Sequence, residues 1–443
     1  MRARRAGLRL LPFVLALAAL AVPAPAAASD IVTQWNLHAT NALIRDGGQG
    51  GAATVHLAMV HGAVYDAVNA IDRGHAPYLG PLWAKRWFSQ DAAAATAAYV
   101  VLTRSNPGLV DPANPGALEP SLRPIYEQSL DAIPDGPAKW GGVAVGAAAA
   151  WRMILVRRHD GRFGAFRFTP ATGIGQWRPI APSTANDPFA WLKDVRPFTI
   201  RSSTRFGSPP PLRLTSKRYA KEFEEVKTLG AADSATRMQD QTDAARFWGV
   251  GNAVGTWAML LRTIADQHPM TTADSARYYA MLYITAADSL ITVWESKAKW
   301  SFWRPHHAIL DAAGDGNDDT VAEPNWSSLT GSPPYPEHPS GLSALGASHA
   351  TTLRQFFGTD DVAFGGMNPT ATVTRNYARF SQAMDEIVDA RVWSGIHFRF
   401  GDEEGARIGR RVARWRAERG FFRHAHHGHG RHGHHGHGGG RGH

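Results

Sequence analysis

The chain has 443 residues, no cysteine, 44% hydrophobic residues and a formal net charge of +9 at pH 7. The composition excludes disulfides, thiolate chemistry and Cys-ligated zinc, and supplies enough apolar material for two domains or one large one. Several of the surplus cations sit at the two ends, and no basic stripe interleaved with aromatics runs through the sequence, so no nucleic-acid partner is expected.

Residues 1–28 read as a secretory signal: Met1–Arg9 is basic, Leu10–Val22 is apolar, and Ala26-Ala27-Ala28 precedes Ser29 as a small-residue cleavage site. The apolar core is shorter than the roughly 18–20 residues that a membrane span requires, and no later run reaches that length. The expected product is a secreted or periplasmic protein with no integral membrane segment.

Helical periodicity begins within Ile31–Ile71, where Val55, Met59, Val60, Ala63 and Val64 recur at three- and four-residue steps. His56 and His61 are five apart, a spacing that suits core histidines rather than a helical metal pair. Asp91–Leu102 and Lys139–Val156 are alanine-rich, with Gly141, Gly142 and Gly146 permitting close helix contact. From Arg157 to Pro211 glycine, proline and polar residues take over, ending in Pro209-Pro210-Pro211, a stiff connector. This divides the mature chain into an N-terminal helical half (29–211) and a C-terminal helical half (212–423). Arg162, Arg167 and Arg201 in the seam are expected on a solvated surface.

The second half resumes helical periodicity at Ser216–Leu229, Thr242–Ala265 and Ala273–Lys299, with Trp248, Trp257, Trp294, Trp300 and Trp303 expected as packing residues. Asp311–Asp319 lacks the closing glutamate of an EF-hand and reads as a solvated acidic loop. No strand-alternating segment of useful length competes with a helical reading. The predicted fold class is all-α, built as helical bundles.

Three short segments carry groups suited to a tetrahedral oxyanion. Lys297 and Arg304 are seven apart, on one face if helical, and Pro305 places Arg304 at the helix end. Ser340 and Gly341 open the apolar run Leu342–Phe357, where free N–H groups and the helix dipole favour an anion. Arg391 closes a helix over Tyr377–Trp393, and Gly395 allows the turn that returns His397 to the same pocket. His397 supplies a nucleophilic nitrogen, and the cations and neutral donors supply charge-assisted hydrogen bonds worth roughly 1.5–3 kcal/mol each.

The series Lys297-x6-Arg304-Pro305, Pro339-Ser340-Gly341, Arg391-x5-His397 resembles the signature shared by vanadium-dependent haloperoxidases and type 2 phosphatidic acid phosphatases. The chain looks like a soluble bacterial member of the haloperoxidase branch. That resemblance implies a haloperoxidase-like fold with the site at the end of the C-terminal bundle. It implies vanadate as cofactor, its vanadium bound by His397 and its oxygens held by Lys297, Arg304, Ser340, Gly341 and Arg391; phosphate would fit the same site. It makes His397, Lys297, Arg304 and Arg391 the catalytic set, acting on peroxide and halide.

Two positions depart from the pattern. Leu342 stands where the family carries a histidine that moves protons, and on this reading it is a core leucine on a stripe with Leu345, His349 and Leu353. Gly401 stands where the family has an acid beyond the axial histidine, with Asp402 next door expected to orient the His397 ring. His306, His307 and His338 are the candidates for replacing the missing histidine. The departures leave open an acid phosphatase acting on phosphate esters through a phosphohistidine, or an oxyanion-binding protein without turnover.

The tail, residues 424–443, carries nine histidines among glycine and arginine. It is expected to be disordered, with imidazoles able to take divalent metal such as Ni²⁺, Cu²⁺ or Zn²⁺.

Overall fold

The computed structural model describes residues 29–44, 50–105, 118–164, 167–420 and 422–424. The expected export segment, and all but the first residue of the histidine-rich tail, lie outside the described residues. The described residues form thirteen α-helices and one two-stranded hairpin, so the helical-bundle reading holds.

The first group of helices is α1 (Ile31–Leu43), α2 (Gly50–Asp72), α3 (Gln90–Arg104), α4 (Glu119–Asp131) and α5 (Pro137–Val156). Side-chain caps fix where two of them begin: Asp30 accepts from the Val32 and Thr33 amides, and Ser89 from Ala92. Helices α2, α3 and α5 pack on one another. A Cβ at Gly142 or Gly146 would overlap the carbonyls of Ser89 and Ala93, which is why α5 presses so closely on alanine-rich α3. His56 and His61 are fully enclosed in α2, as expected.

The seam holds two short 3₁₀ turns, Ala190–Asp194 and Ser203–Phe206. Here one expectation fails. Arg162 is not a surface cation: its side chain is 6% exposed, bonds Asp160 at 3.0 Å and reaches His56 Nε2 at 3.1 Å. Asp160, itself buried, also holds Arg157, so the loop is stitched from inside by one carboxylate and two guanidinium groups. Arg167 and Arg201 are exposed.

The remaining helices are α6 (Lys217–Gly230), α7 (Gln239–Gly249), α8 (Ala253–Gln267), α9 (Thr272–Trp300), α10 (Pro305–Leu310), α11 (Gly341–Phe357), α12 (Phe380–Trp393) and α13 (Arg399–Glu418). Between α11 and α12 lies an antiparallel hairpin, β1 (Phe364–Asn368) on β2 (Val373–Tyr377). The helix expected from Tyr377 therefore starts three residues later. Residues 373–377 alternate in burial, and Asp360 accepts the Ser381 and Phe380 amides through its side chain and its carbonyl respectively, fixing the start.

Helix α9 is the axis of the molecule. Its 29 residues extend about 43 Å at 1.5 Å rise each, and nearly every one from Ser275 to Val293 is buried. It packs against α2 on one side and against α11 and α13 on another, inside one continuous apolar core. Helix α13 can approach α11 because a Cβ at Gly405 or Gly409 would overlap the carbonyls of Ser340 and Ala344. That contact brings the first turns of α11 and α13 together at the end of α9.

Candidate active site

Lys297 lies in the last turn of α9, where a cation is favoured by the helix dipole. The helix does not continue to Arg304. Ser301 adopts a left-handed conformation (φ 42°) and closes it; Pro305 then takes the first position of α10, with Arg304 as the residue before it. The two cations therefore do not share a helix face, but the turn between them brings both to the same end of the bundle. Ser340 caps α11, accepting the Ser343 amide, and Gly341 is its first residue, as expected. Beyond α12, Gly395 turns the chain at φ 77° and delivers His397 just before α13.

The groups are out of water: Lys297, Arg304 and Ser340 are 0% exposed, His397 1% and Arg391 6%. Arg304 donates from Nε to the Tyr335 carbonyl (2.9 Å) and from Nη1 to the Ile396 carbonyl (2.8 Å), with Nη1 also 3.1 Å from His397 Nε2. Lys297 Nζ is held by the carbonyls of Pro336 and Glu337 at 2.7 and 2.8 Å. Arg391 Nη1 reaches the Trp248 carbonyl at 3.3 Å. Arg304 Nη2 and Arg391 Nε are buried with no partner among the described residues. Burial lowers all three cations, Lys297 well below its usual range and Arg304 to about 10; mutual repulsion adds to the effect on Lys297.

The residue that orients His397 is Glu337, which the sequence reading missed. Its Oε1 lies 2.7 Å from His397 Nδ1 and also accepts the Phe398 amide at 3.3 Å. With Nδ1 assigned as the donor to Glu337, Nε2 is the acceptor for Arg304 Nη1. Burial first, then Arg304, Arg391 and Lys297, hold the imidazole well below its ordinary value, so the ring is neutral. Asp402 does not do this work. It accepts the Ser343 hydroxyl at 2.8 Å, on the other side of the α11 cap. Burial pushes its carboxyl up to about 7, with Ser340 and Arg391 drawing it back. Gly401 is the reason Glu337 can enter: a Cβ there would overlap Oε1. The carboxyl that meets the ring comes from the loop before the serine, not from the helix after the histidine.

Leu342 is 7% exposed and belongs to the core, as expected, and so does His349. The proposed stand-ins do not come forward. His338 points Nε2 at the Pro209 carbonyl (3.2 Å) with its ring on Phe400, while His306 and His307 lie toward Arg178 and Asp311. In the acidic loop, Asp311 pairs with Arg178 and Asp315 accepts Thr320 and Asn317. Above the site a cavity of about 390 Å³ is lined by Arg391, Tyr335, Trp248, Trp294, Phe189 and Asn252. Trp248 and Trp294 thus pack, as expected, and also wall this approach; the Trp294 indole donates to Asp187 at 2.9 Å.

The donor set fits a tetrahedral oxyanion. Three buried basic side chains face two buried carboxyls, which burial pushes up to about 8 (Glu337) and about 7 (Asp402). Among the described residues two guanidinium nitrogens lack partners, and a helix N-terminus and His397 Nε2 meet them. Buried donors without partners cost about 1–3 kcal/mol each, more when charged, and an anion would relieve that cost.

Comparison with known proteins bears on the fold that carries this site. Residues 277–423 match the family model of the VCPO second helical-bundle domain. Vanadium chloroperoxidase of Curvularia inaequalis is 25% identical over 295 aligned residues, covering 50% of this chain and 48% of that protein. The match thus spans about half the length of that relative. Among solved structures, the first bacterial vanadium-dependent iodoperoxidase superposes with a TM-score of 0.73 at 21% identity, covering 88% of this chain and 95% of that one. A holo-type bacterial vanadium-dependent chloroperoxidase gives 0.66 at 15% identity, covering 90% and 98%. Residues 277–423 thus match a second helical-bundle domain of the vanadium chloroperoxidase kind, in a chain whose overall fold is haloperoxidase-like.

Proposed function

We propose that the protein is a vanadate-dependent peroxidase that uses hydrogen peroxide to oxidise halide, exported by way of residues 1–28. The observation that carries this reading is the neutral His397 ring, held by Glu337 at Nδ1 and turned with Nε2 toward Arg304, among three buried basic side chains at the α11 N-terminus.

When bound, vanadate supplies the activation of peroxide toward a two-electron oxidation of halide. The chain's own residues do the rest. His397 offers the Nε2 lone pair while Glu337 keeps the ring proton on Nδ1. Arg304 Nη2 and Arg391 Nε are the donors left for the anion's oxygens, joined by the Gly341 amide and by the Ser340 hydroxyl once it turns from Asp402. Lys297 adds a charge in a dry site, where it acts far more strongly than in water. The aromatic walls of the cavity restrict water above Arg391.

The test is direct. The full chain, loaded with orthovanadate, is assayed for peroxide- and bromide-dependent halogenation, alongside hydrolysis of an aryl phosphate. Vanadate-dependent turnover supports the proposal. Aryl phosphate hydrolysis without it would move the chain to the phosphatase reading, with His397 as nucleophile.

A further inference from the structure

Leu342 leaves the site short of a neutral group that can share a proton with a bound oxyanion. Most of the other candidates nearby are already engaged. Ser343 donates to Asp402, and Ser340 sits against the same carboxylate. His338 gives Nε2 to the Pro209 carbonyl and packs its ring on Phe400, with Nδ1 unpartnered among the described residues, and Lys297 is tied to two backbone carbonyls.

Tyr335 is different. Its ring centroid lies 5.1 Å from Lys297 Nζ and 4.9 Å from Arg304 Cζ, and it rests on Trp294 at 5.3 Å. Its backbone is fixed by the Arg304 Nε bond to its carbonyl and by its own amide bond to Pro333. Half-buried, it lines the cavity beside Arg391. Its ring lies against Arg304 and Lys297, and it shares the cavity lining with Arg391, so the phenol stands at the site beside all three basic side chains. Among the described residues that oxygen has no hydrogen-bond partner. A phenol there is a neutral donor held by cation–π and backbone contacts, and it needs no rearrangement to meet an anion.

We infer that the Tyr335 hydroxyl donates a hydrogen bond to the bound oxyanion, supplying from the loop before α11 the neutral donor that Leu342 cannot supply from within it. This rests on the oxyanion reading of the site. It also goes further, because it makes a tyrosine the residue through which this chain tolerates the leucine.

The experiment is calorimetric titration of the full chain with inorganic phosphate and with orthovanadate, in wild type, Tyr335→Phe and Arg391→Gln. Phenylalanine keeps the ring, its packing on Trp294 and its place over both cations, so the folded state is retained; circular dichroism checks it. Loss of one hydrogen bond to a charged group predicts roughly ten-fold or greater weakening in Tyr335→Phe. Binding to the wild type should also perturb the near-ultraviolet tyrosine absorption, a change missing from the variant. If Tyr335→Phe binds like the wild type while Arg391→Gln loses binding, the inference is wrong and the site reading stands. If the wild type binds neither anion, both fall.

Discussion

Glu337 and Gly401 occupy complementary places: the carboxylate oxygen that accepts the His397 Nδ1 proton sits where a side chain on residue 401 would have to be. The pair explains how the site can lack an acid at position 401 and still present an oriented imidazole.

From that relationship, Glu337→Gln should weaken vanadate binding about ten-fold or more, the usual cost of removing a hydrogen-bond partner of a ligating histidine. The nitrogen-15 shifts of His397 in the free protein should lose their bias toward the Nδ1–H tautomer. Gly401→Ala removes no polar atom, yet it should produce the same loss by pushing the carboxylate away. Unchanged affinity in both variants would show that the ring is held by something else.

A second prediction concerns stability. The buried cations outnumber the buried carboxylates, so an oxyanion that binds only the folded state should raise the melting temperature. At an anion concentration of 100 Kd the gain is about 2.7 kcal/mol. Thermal melts with phosphate and vanadate measure it, and Arg391→Gln should abolish most of it. An equal rise with sulfate-free sodium chloride at the same ionic strength would mean general screening instead.

Two buried histidines predict how stability falls in acid. His61 and His349 are each pushed down to about 3 by burial. The unfolded chain takes up their protons below about pH 6.5, whereas the folded one does not until about pH 3. Their contribution is therefore complete above pH 6.5 and is lost as pH falls through that window, by about 1.4 kcal/mol per pH unit for each ring. Raised carboxyls such as Asp402 act in the opposite sense, so the clean measurement is a difference. The pH slope of unfolding free energy for His349→Gln should be shallower than wild type by about that amount.

Leu342→His tests the missing proton carrier. Turnover in the vanadate-loaded bromide assay should rise on the order of 100-fold, the lower end of what a positioned acid–base group contributes. The gain should be larger in a Tyr335→Phe background, since the two residues would serve one need. Equal gains in both backgrounds would mean that the residues act separately.

The three motifs were legible because each is local: a few residues at fixed spacing carry the charge or the helix start that the site uses. What the sequence did not disclose depended on contacts across the chain. Glu337 is 60 residues from His397 and reads as part of a proline-rich approach to the serine; the one signal was an unexplained glycine at 401. Asp402 was the nearer carboxylate, and proximity in sequence misled. Arg162 looked solvated because its partners, Asp160 and His56, meet it only in the fold. The Lys297–Arg304 spacing suggested one helix face, whereas Ser301 ends the helix between them. The short hairpin escaped notice because five-residue strands barely register against the helical periodicity around them.

Helix α9 is a wall common to both groups of helices, with α2 on one flank and α11 and α13 on another. A protein cut at Pro209-Pro210-Pro211 would keep every polar group of the site in its second piece. That piece would also present to water the side of α9 that α2 now covers, including Tyr283, which stacks on His61, and Ile284, which meets Gly62. Such a fragment should aggregate or bind its missing half rather than fold alone, so the N-terminal helices are structural partners of the chemistry although none of the three motifs lies in them.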